Sequence, residues 1–550
     1  MFEIPVTRHF SQIPRYQEIL RVLVQHGFGS MMNLLPINRK WLQRLRPFPT
    51  TAPQTLPVHF RQALEELGPT FVKLGQVLST RPDILPPTYI TELARLQDAV
   101  PPVPWEAIHA VLRSELPISL EQIFTSIEQT PLASASLGQV HAATLTNGKE
   151  IVIKIQRPHI RAAIDTDLDI LQDVAHYTQQ YTTLGKTYSV EEIAADFAVT
   201  LLAELNYLRE GRNADLFREN FRAQAGIYIP HIYWEYTTQR VLVMERLRGI
   251  KVNDISALKA TGHDCTQIAN HSAYFIIKEV LEDGFFHADP HPGNLIVLAD
   301  GSLGVMDFGM VGHLSQRDRT DLIRIYTTAV RMDANGIVDE LVHIGAAPPD
   351  VKRHALVRDV TRALHNYKGL PLQEISVADA LETIQHLVFE HHLRLPSNLW
   401  LLGKSLAMME GVGRQLEPDF DIFAFSKPYV GKLIRQTVLP NRHQVEKLLH
   451  QTLIWGDILD EVPRAVLLLL SRLEKNEPIP LALTNQNLSV LDTLVTRLSL
   501  SLIIAGMTIG LAFVISTLGE TGVWFQAIFI PLFVVTLALG AWVMISIIRK

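Results

Sequence analysis

The sequence predicts an α+β, two-lobed fold preceded by an N-terminal helical extension and followed by a C-terminal two-helix transmembrane hairpin. Three observations predict it. Strand-like alternation is confined to 132–155 and to short stretches at 240–244 and 294–306, while helical periodicity dominates elsewhere. Pro101, Pro102 and Pro104 interrupt the chain after a helical first hundred residues. Two long charge-free runs lie at the C-terminal end. With 550 residues the chain exceeds one domain of roughly 100–200 residues. The expected organisation is a helical extension (1–104), a β-rich small lobe with a helical insertion (105–250), a helical large lobe (251–480), a linker (481–497) and the hairpin (498–550).

Composition narrows the function. Lys+Arg 50 against Asp+Glu 56 leaves a net charge of −6, which lacks the basic footprint of a nucleic-acid binder and makes nucleic acid an unexpected partner. Charged residues make up 19%, below the roughly 25% usual in soluble proteins, and the mean hydropathy is +0.13; both point to contact with lipid. The single cysteine, Cys265, excludes an intramolecular disulfide and a multi-cysteine metal site, and its helical surroundings suggest a small buried apolar residue.

The N-terminus lacks the apolar core of a secretory signal. Ile19, Leu20, Val22, Leu23 and Val24 stand among polar residues, as in an amphipathic helix docked on protein. In the small lobe, two strand patterns meet at Asn147-Gly148, a pair suited to a type I′ turn with positive φ at both positions. A long helical region, 161–220, follows, then a strand at 240–244. Asp300-Gly301 turns a short strand pair within 294–306. The most polar break before the end is 474–488.

The runs 498–518 and 523–548 carry no charge, and the first spans about 30 Å as a helix, enough for a bilayer core. Gly519, Glu520, Thr521 and Gly522 leave only a tight turn between them. Arg497, Arg549 and Lys550 flank the pair and place both termini on the cytoplasmic side. Gly506 and Gly510 form a small-residue face for close helix contact within the hairpin or between two copies of the chain, a homodimer.

The strings HADPHPGN (287–294) and VMDFG (305–309) carry the chemistry. Asp289 and Asn294 are five positions apart, as in the H-R-D-x-x-x-x-N loop of protein kinases, a spacing that aims a proton-accepting carboxylate at an acceptor while an amide oxygen holds a metal. Asp307 supplies the carboxylate oxygen that a magnesium ion bridging phosphates needs, and Gly309 permits the sharp turn behind it. A metal-hydrolase reading, with His287, Asp289 and His291 as alternating ligands, leaves Asn294 and the D-F-G string without a role. Upstream, Leu132 precedes Ala133-Ser134-Ala135-Ser136-Leu137-Gly138-Gln139-Val140, which follows the G-x-G-x-x-G-x-V spacing of an ATP-covering loop with alanine at the first two glycine positions. Lys154, in IVIK, stands where a phosphate-neutralising lysine belongs, and Glu210 is its expected carboxylate partner. Alone, each would be an ordinary solvated side chain; their order along the chain raises them above that. A protein-kinase-like fold using ATP and Mg2+ follows.

KLGQ (Lys73 to Gln76), ASASLGQVH, HADPHPGN and DFG together resemble the motifs of the UbiB family of atypical protein-kinase-like proteins. The resemblance implies ATP with magnesium and a role in ubiquinone or related isoprenoid-quinone biosynthesis at a bacterial-type inner membrane, with a lipid or quinone precursor and quinone-pathway enzymes as partners. Carried onto this chain, it makes Asp289 the proton acceptor, Asn294 and Asp307 metal ligands, Lys154 and Glu210 an ion pair, and Lys73 with Gln76 a regulatory motif over the site that pairs with Glu204. The family's E-x-D reads Glu204-Leu205-Asn206 here, so one carboxylate near Lys73 is replaced by an amide. No A-P-E follows D-F-G, and Ser315 opens a helix almost at once, leaving little segment to dock a peptide. The expected function is therefore an ATPase or atypical kinase. The alternatives are a small-molecule kinase of the aminoglycoside or choline type and a non-catalytic nucleotide-binding scaffold for quinone-pathway enzymes.

Overall fold

The computed structural model describes residues 12–28, 55–96, 100–182, 185, 189–348, 351–370 and 374–429. The chain divides into two units, Met1–Asn441 and Arg442–Lys550, and every described residue lies in the first. The expected linker (481–497), the polar break at 474–488 and the expected membrane hairpin (498–550) lie outside the described residues. Among the described residues, no helix is long and apolar enough to cross a membrane.

Helices α1 (Ile13–Gln25), α2 (Leu56–Leu67), α3 (Pro69–Leu78) and α4 (Pro87–Leu93) form the N-terminal layer. Pro69 and Pro87 occupy first helical positions, where a missing N–H costs nothing. Gly68, with φ +94°, turns the chain between α2 and α3. The apolar stripe of α1 docks on protein as expected: Ile19 and Val22 pack with Leu64, Leu67, Phe71 and Ile170.

The small lobe pairs α5 (Trp105–Glu115) with an antiparallel sheet of β1 (Phe124–Ile127), β2 (Ala133–Ser134), β3 (Gly138–Leu145), β4 (Glu150–Gln156) and β6 (Val241–Glu245), in the order β1-β3-β4-β6 with β2 folded onto β3. Strand parity does the positioning. Ile151, Ile153 and Ile155 alternate onto one face and are fully buried against Ile108, Leu112 and Val243. Their intervening neighbour Lys154 must then point to the other face. The turn between β3 and β4 corrects the sequence expectation. Gly148 has φ +82° but Asn147 is not left-handed, and the Gly148 N–H donates to Leu145 O at 2.9 Å. The connection is thus one residue longer than a type I′ pair, with glycine alone taking the left-handed position.

The region read as one helical stretch, 161–220, is broken into separate helices; among the described residues these include α6 (Ile160–Tyr181), α7 (Val190–Glu204) and α8 (Tyr207–Phe221). Arg15 bridges the N-terminal layer to α6, donating to Asp167 at 2.7 Å and to Leu67 O at 2.7 Å.

The large lobe holds a second sheet, β5 (Ile227–Tyr228), β10 (Leu303–Val305), β9 (Leu295–Leu298) and β7 (Gly249–Lys251), with β9 and β10 antiparallel as the Asp300-Gly301 turn predicted. A further pair, β8 (Phe285–His287) with β11 (Val311–His313), brackets the two catalytic strings; its three-residue strands are too short to show a period. Helix α9 is Ile255–Ala260 and α10 is Cys265–Lys278, with Cys265 half-buried at its first turn rather than deep in the core. Phe217, Phe275, Phe286, Phe308 and Met409 centre the large-lobe core. Helix α11 (Gln316–Val330) starts directly after β11 with a full capping box between Ser315 and Asp318. Helices α12 (Ala334–His343), α13 (Arg353–His365), α14 (Val377–Glu390) and α15 (Ser397–Leu416) complete the lobe.

Candidate active site

Lys154 leaves β4 on the cleft side and meets carboxylates from two other elements. Its Nζ donates to Glu210 Oε1 at 2.7 Å and Oε2 at 2.9 Å, and reaches Asp307 Oδ2 at 3.4 Å. Burial works against the ammonium, but the Asp307 and Glu210 carboxylates outweigh it and hold Lys154 well above the ordinary lysine value. Burial likewise tends to raise Asp307, yet Lys154 and the Gly309 N–H reverse this and hold its carboxyl below the usual range.

A single stripe of α8 organises these groups. Glu210 faces Lys154; three residues on, the Asn213 amide donates to Phe308 O at 2.9 Å; one further turn on, the Phe217 ring lies 5.5 Å from Phe308 and 4.6 Å from Phe285. One helix face therefore holds both the lysine and the D-F-G backbone.

In the 287–294 loop, His287 is 1% exposed. Its Nδ1 accepts the Asp289 N–H at 3.1 Å, so the proton of the neutral ring sits on Nε2. Burial lowers the imidazole's basicity against the opposing charges of Asp307 and Asp289. The fully buried Glu279 accepts the His287 N–H at 3.3 Å, and burial holds its carboxyl well above the usual range. Asn294 donates its side-chain amide N–H to Asp289 O at 3.3 Å, which leaves its side-chain oxygen as an acceptor. The Met306 N–H donates to the backbone carbonyl of Asn294 at 2.9 Å, tying the residue before Asp307 to Asn294.

An amide oxygen and a carboxylate whose side chain is 44% exposed are hard donors suited to Mg2+. His287, Asp289 and His291 do not converge in the same way. His291 is exposed and its Nδ1 accepts the Gly293 N–H of its own turn at 2.9 Å. Among the described residues, the metal-type ligands that do meet are Asp359, Glu390 and His391, on other elements, and Asp359 is already paired with Arg358 and Arg362. The hydrolase alternative therefore has no ligand set in this loop.

The alanine-rich segment folds as the β2–β3 hairpin, closed by the Ala135 N–H to Gly138 O at 2.8 Å. Two of its side chains turn inward. Leu137 packs with Ile160, Ile164 and Phe197, and the fully buried Gln139 holds the backbone of Val103, so what these two positions offer the cleft is their backbone. Ser136 is fully buried as well. Leu132, Ala133, Ser134, Ala135 and Val140 remain on the hairpin, with Leu132 50% exposed and Val140 paired to Lys154 across β3 and β4. At Gly138 a Cβ would lie 2.4 Å from Tyr207 Oη and 2.7 Å from Ile155 O, so glycine is required for close approach.

Lys73, on α3, makes an ion pair with Glu204 at 3.0 Å and is only 8% exposed. It adds to the charges lowering Asp307, which places it near the cleft. Gln76 instead donates to Leu96 O at 3.3 Å, tying α3 to its own layer. Asn206 Oδ1 is buried with no hydrogen-bond partner among the described residues.

Sequence reasoning missed three contributors. Arg157 braces the hairpin, donating to Ala135 O, Ser134 Oγ and Pro101 O, each at 2.9 Å; its place two residues past the strand lysine's neighbour Ile155 is a weak signal. Asn213 lies three residues after Glu210, a helical spacing that could have suggested it. Lys404 on α15 lies 3.4 Å from Asp289 Oδ1, and nothing in the sequence links the two.

Lys154→Met and Glu210→Gln are each expected to weaken nucleotide binding, and the double variant to lose less than the sum, with a coupling of about 1–3 kcal/mol; a binding titration of the four proteins checks this. Asn206→Asp would place a second carboxylate in the Lys73 neighbourhood, so basal ATP turnover should fall, while Lys73→Ala should change it in the opposite sense. Side-by-side turnover at fixed magnesium decides; an increase in Asn206→Asp would sink the gating role of Lys73.

The chain matches the ABC1 atypical kinase-like domain over residues 95–341, the UbiB helical domain over 360–421 and the ABC1/UbiB kinase-like C-terminal domain over 484–549. It is 34% identical to an uncharacterized protein of Synechocystis sp., sll1770, over 76% of this chain and 72% of that one. It is 34% identical to the "Probable protein kinase UbiB" of Xylella fastidiosa over 78% of this chain and 79% of that one. For the protein of the same description in Xanthomonas campestris the figures are 35%, 78% and 80%. The Rv3197–erythromycin complex from Mycobacterium tuberculosis aligns over 64% of this chain and 90% of that one, at 22% identity and a TM-score of 0.44. The kinase-type lysine, catalytic loop and D-F-G string, together with relatives matched along most of their length, lead to one conclusion: the chain belongs to the UbiB family of atypical kinase-like proteins.

Proposed function

We propose that this protein is an ATP- and Mg2+-dependent atypical kinase or ATPase that acts at a membrane in ubiquinone or related isoprenoid-quinone biosynthesis. The observation that carries the proposal is the convergence of Lys154, Glu210 and Asp307 beside the Asp289–Asn294 loop. Lys154, oriented by Glu210, is placed to neutralise nucleotide phosphate charge. Asp307 and the Asn294 side-chain oxygen would hold Mg2+, which when bound offsets charge on the β- and γ-phosphates. Asp289 takes the proton of an attacking water or hydroxyl. The oxygen–phosphorus bond to the γ-phosphoryl group forms as the bond to the β–γ bridging oxygen breaks, and ADP departs.

The quinone assignment rests on family membership, and the membrane assignment on the charge-free runs 498–518 and 523–548 with Arg497, Arg549 and Lys550 at their cytoplasmic ends. Only Leu314 and Ser315 lie between β11 and helix α11, which leaves little room to dock a peptide. That favours water or a small lipid-linked acceptor over a protein substrate.

Asp307→Asn should abolish magnesium-dependent ATP binding and turnover, because a neutral amide cannot replace carboxylate charge on a divalent ion. Unchanged magnesium-ATP affinity in this variant would falsify the assignment. A reporter fused after Lys550 should give a cytoplasmic signal; a periplasmic one would overturn the proposed topology.

A further inference from the structure

In this chain the cation that serves the catalytic carboxylate comes from outside the catalytic loop. The loop from His287 to Asn294 contains no lysine or arginine. The side chain two positions after Asp289, His291, is exposed, and its Nδ1 is occupied by the Gly293 N–H. A phosphoryl-transfer site needs positive charge close to the base, because the base, the attacking oxygen and the γ-phosphoryl oxygens crowd negative charge into one place. Helix α15 supplies it. Lys404 Nζ lies 3.4 Å from Asp289 Oδ1, with both side chains about one-third exposed toward solvent.

The next residue ties the same helix to the same loop. Ser405 is fully buried and its hydroxyl donates to His287 O at 3.0 Å, with Leu401 O also within reach at 2.9 Å. The Ser405 contact fixes α15 against the loop backbone, so Lys404 is carried to Asp289 by a rigid element rather than by a flexible surface chain. Trp400, Leu402 and Met409, all buried, anchor the rest of the helix in the lobe. Because Lys404 falls within the stretch matching the UbiB helical domain, that domain would be part of the active centre rather than an appendage to it.

We propose that Lys404 is the positioning residue for Asp289: it holds the carboxylate toward the acceptor and places its own ammonium beside the incoming γ-phosphate. The inference rests on the reading of Asp289 as proton acceptor in an ATP site. It separates from a surface ion pair, which would contribute little.

Two measurements on the full-length protein in detergent test it. The first is lysine labelling with an ATP acyl-phosphate probe, which acylates amines lying near bound phosphates. Lys154 and Lys404 should both be modified, and magnesium-ATP should protect both. Labelling of Lys154 without Lys404 would overturn the inference and leave the ATP site standing; labelling of neither would remove the ATP-site reading itself, and the inference with it. The second is kinetic. Lys404→Met should lower kcat about 10-fold or more with KM for ATP changed less than about 2-fold, and Lys404→Arg should restore most of the loss. In an Asp289→Asn background, Lys404→Met should cost far less than it does in the parent protein. Losses that multiply, a rise in KM without a fall in kcat, or no effect of Lys404→Met would each show that Lys404 does not act through Asp289.

Discussion

A lysine held between two carboxylates sets the geometry on which the rest of the site depends. Lys154 comes from the small-lobe sheet, Glu210 from α8 and Asp307 from the D-F-G segment, and their contacts of 2.7 and 3.4 Å tie three separate elements to one charge. Glu210 is 5% exposed, so removing the lysine would strand an unpaired anion, a loss of about 3–5 kcal/mol when a buried pair is broken. The arrangement is tolerable because one member, Asp307, opens to the cleft, where its remaining lone pairs can bind metal. The interaction therefore serves placement more than stability.

The other contacts preserve that placement. On α8 the helical repeat puts Glu210, Asn213 and Phe217 on one stripe, so the helix that orients the lysine also hydrogen-bonds and packs the D-F-G backbone. The 287–294 loop is gripped from three sides, by Glu279 at the His287 N–H, by Ser405 at the His287 carbonyl and by Asn294 at the Asp289 carbonyl. These three hydrogen bonds hold the loop backbone in place, and burial pushes the Glu279 carboxyl well above the usual carboxylate range.

The alanine-rich hairpin departs most from an ordinary protein kinase. A glycine loop can flex over phosphates; this one is braced through Arg157, sealed by Gln139 and Leu137, and pressed against Tyr207 at Gly138. Two alanines suffice because the conformation is held by these contacts, and a fixed hairpin changes how closely the backbone can approach phosphate. Across the cleft, α3 brings Lys73 to Glu204. Asn206 stands where a second carboxylate would strengthen that attachment.

What the sequence by itself determined were features written in local order. The parity of IVIKIQ sends Lys154 away from the isoleucine core, the five-residue spacing links Asp289 to Asn294, and the Ser315–Asp318 pair caps a helix directly after β11. Each depends on a strand or helix period, or on a turn, and so can be read from neighbouring residues. Only the tertiary structure decided which distant side chains complete the site. Arg157 reaches Pro101, Lys404 reaches Asp289 across 115 positions, and Gln139 and Leu137 are drawn from the nucleotide loop into packing. The left-handed position in the β3–β4 turn fell to Gly148 alone for a related reason, since loop length there follows the register of the paired strands and not the Asn-Gly pair. Contacts of this kind depend on how whole elements stack, and no period along the chain encodes that.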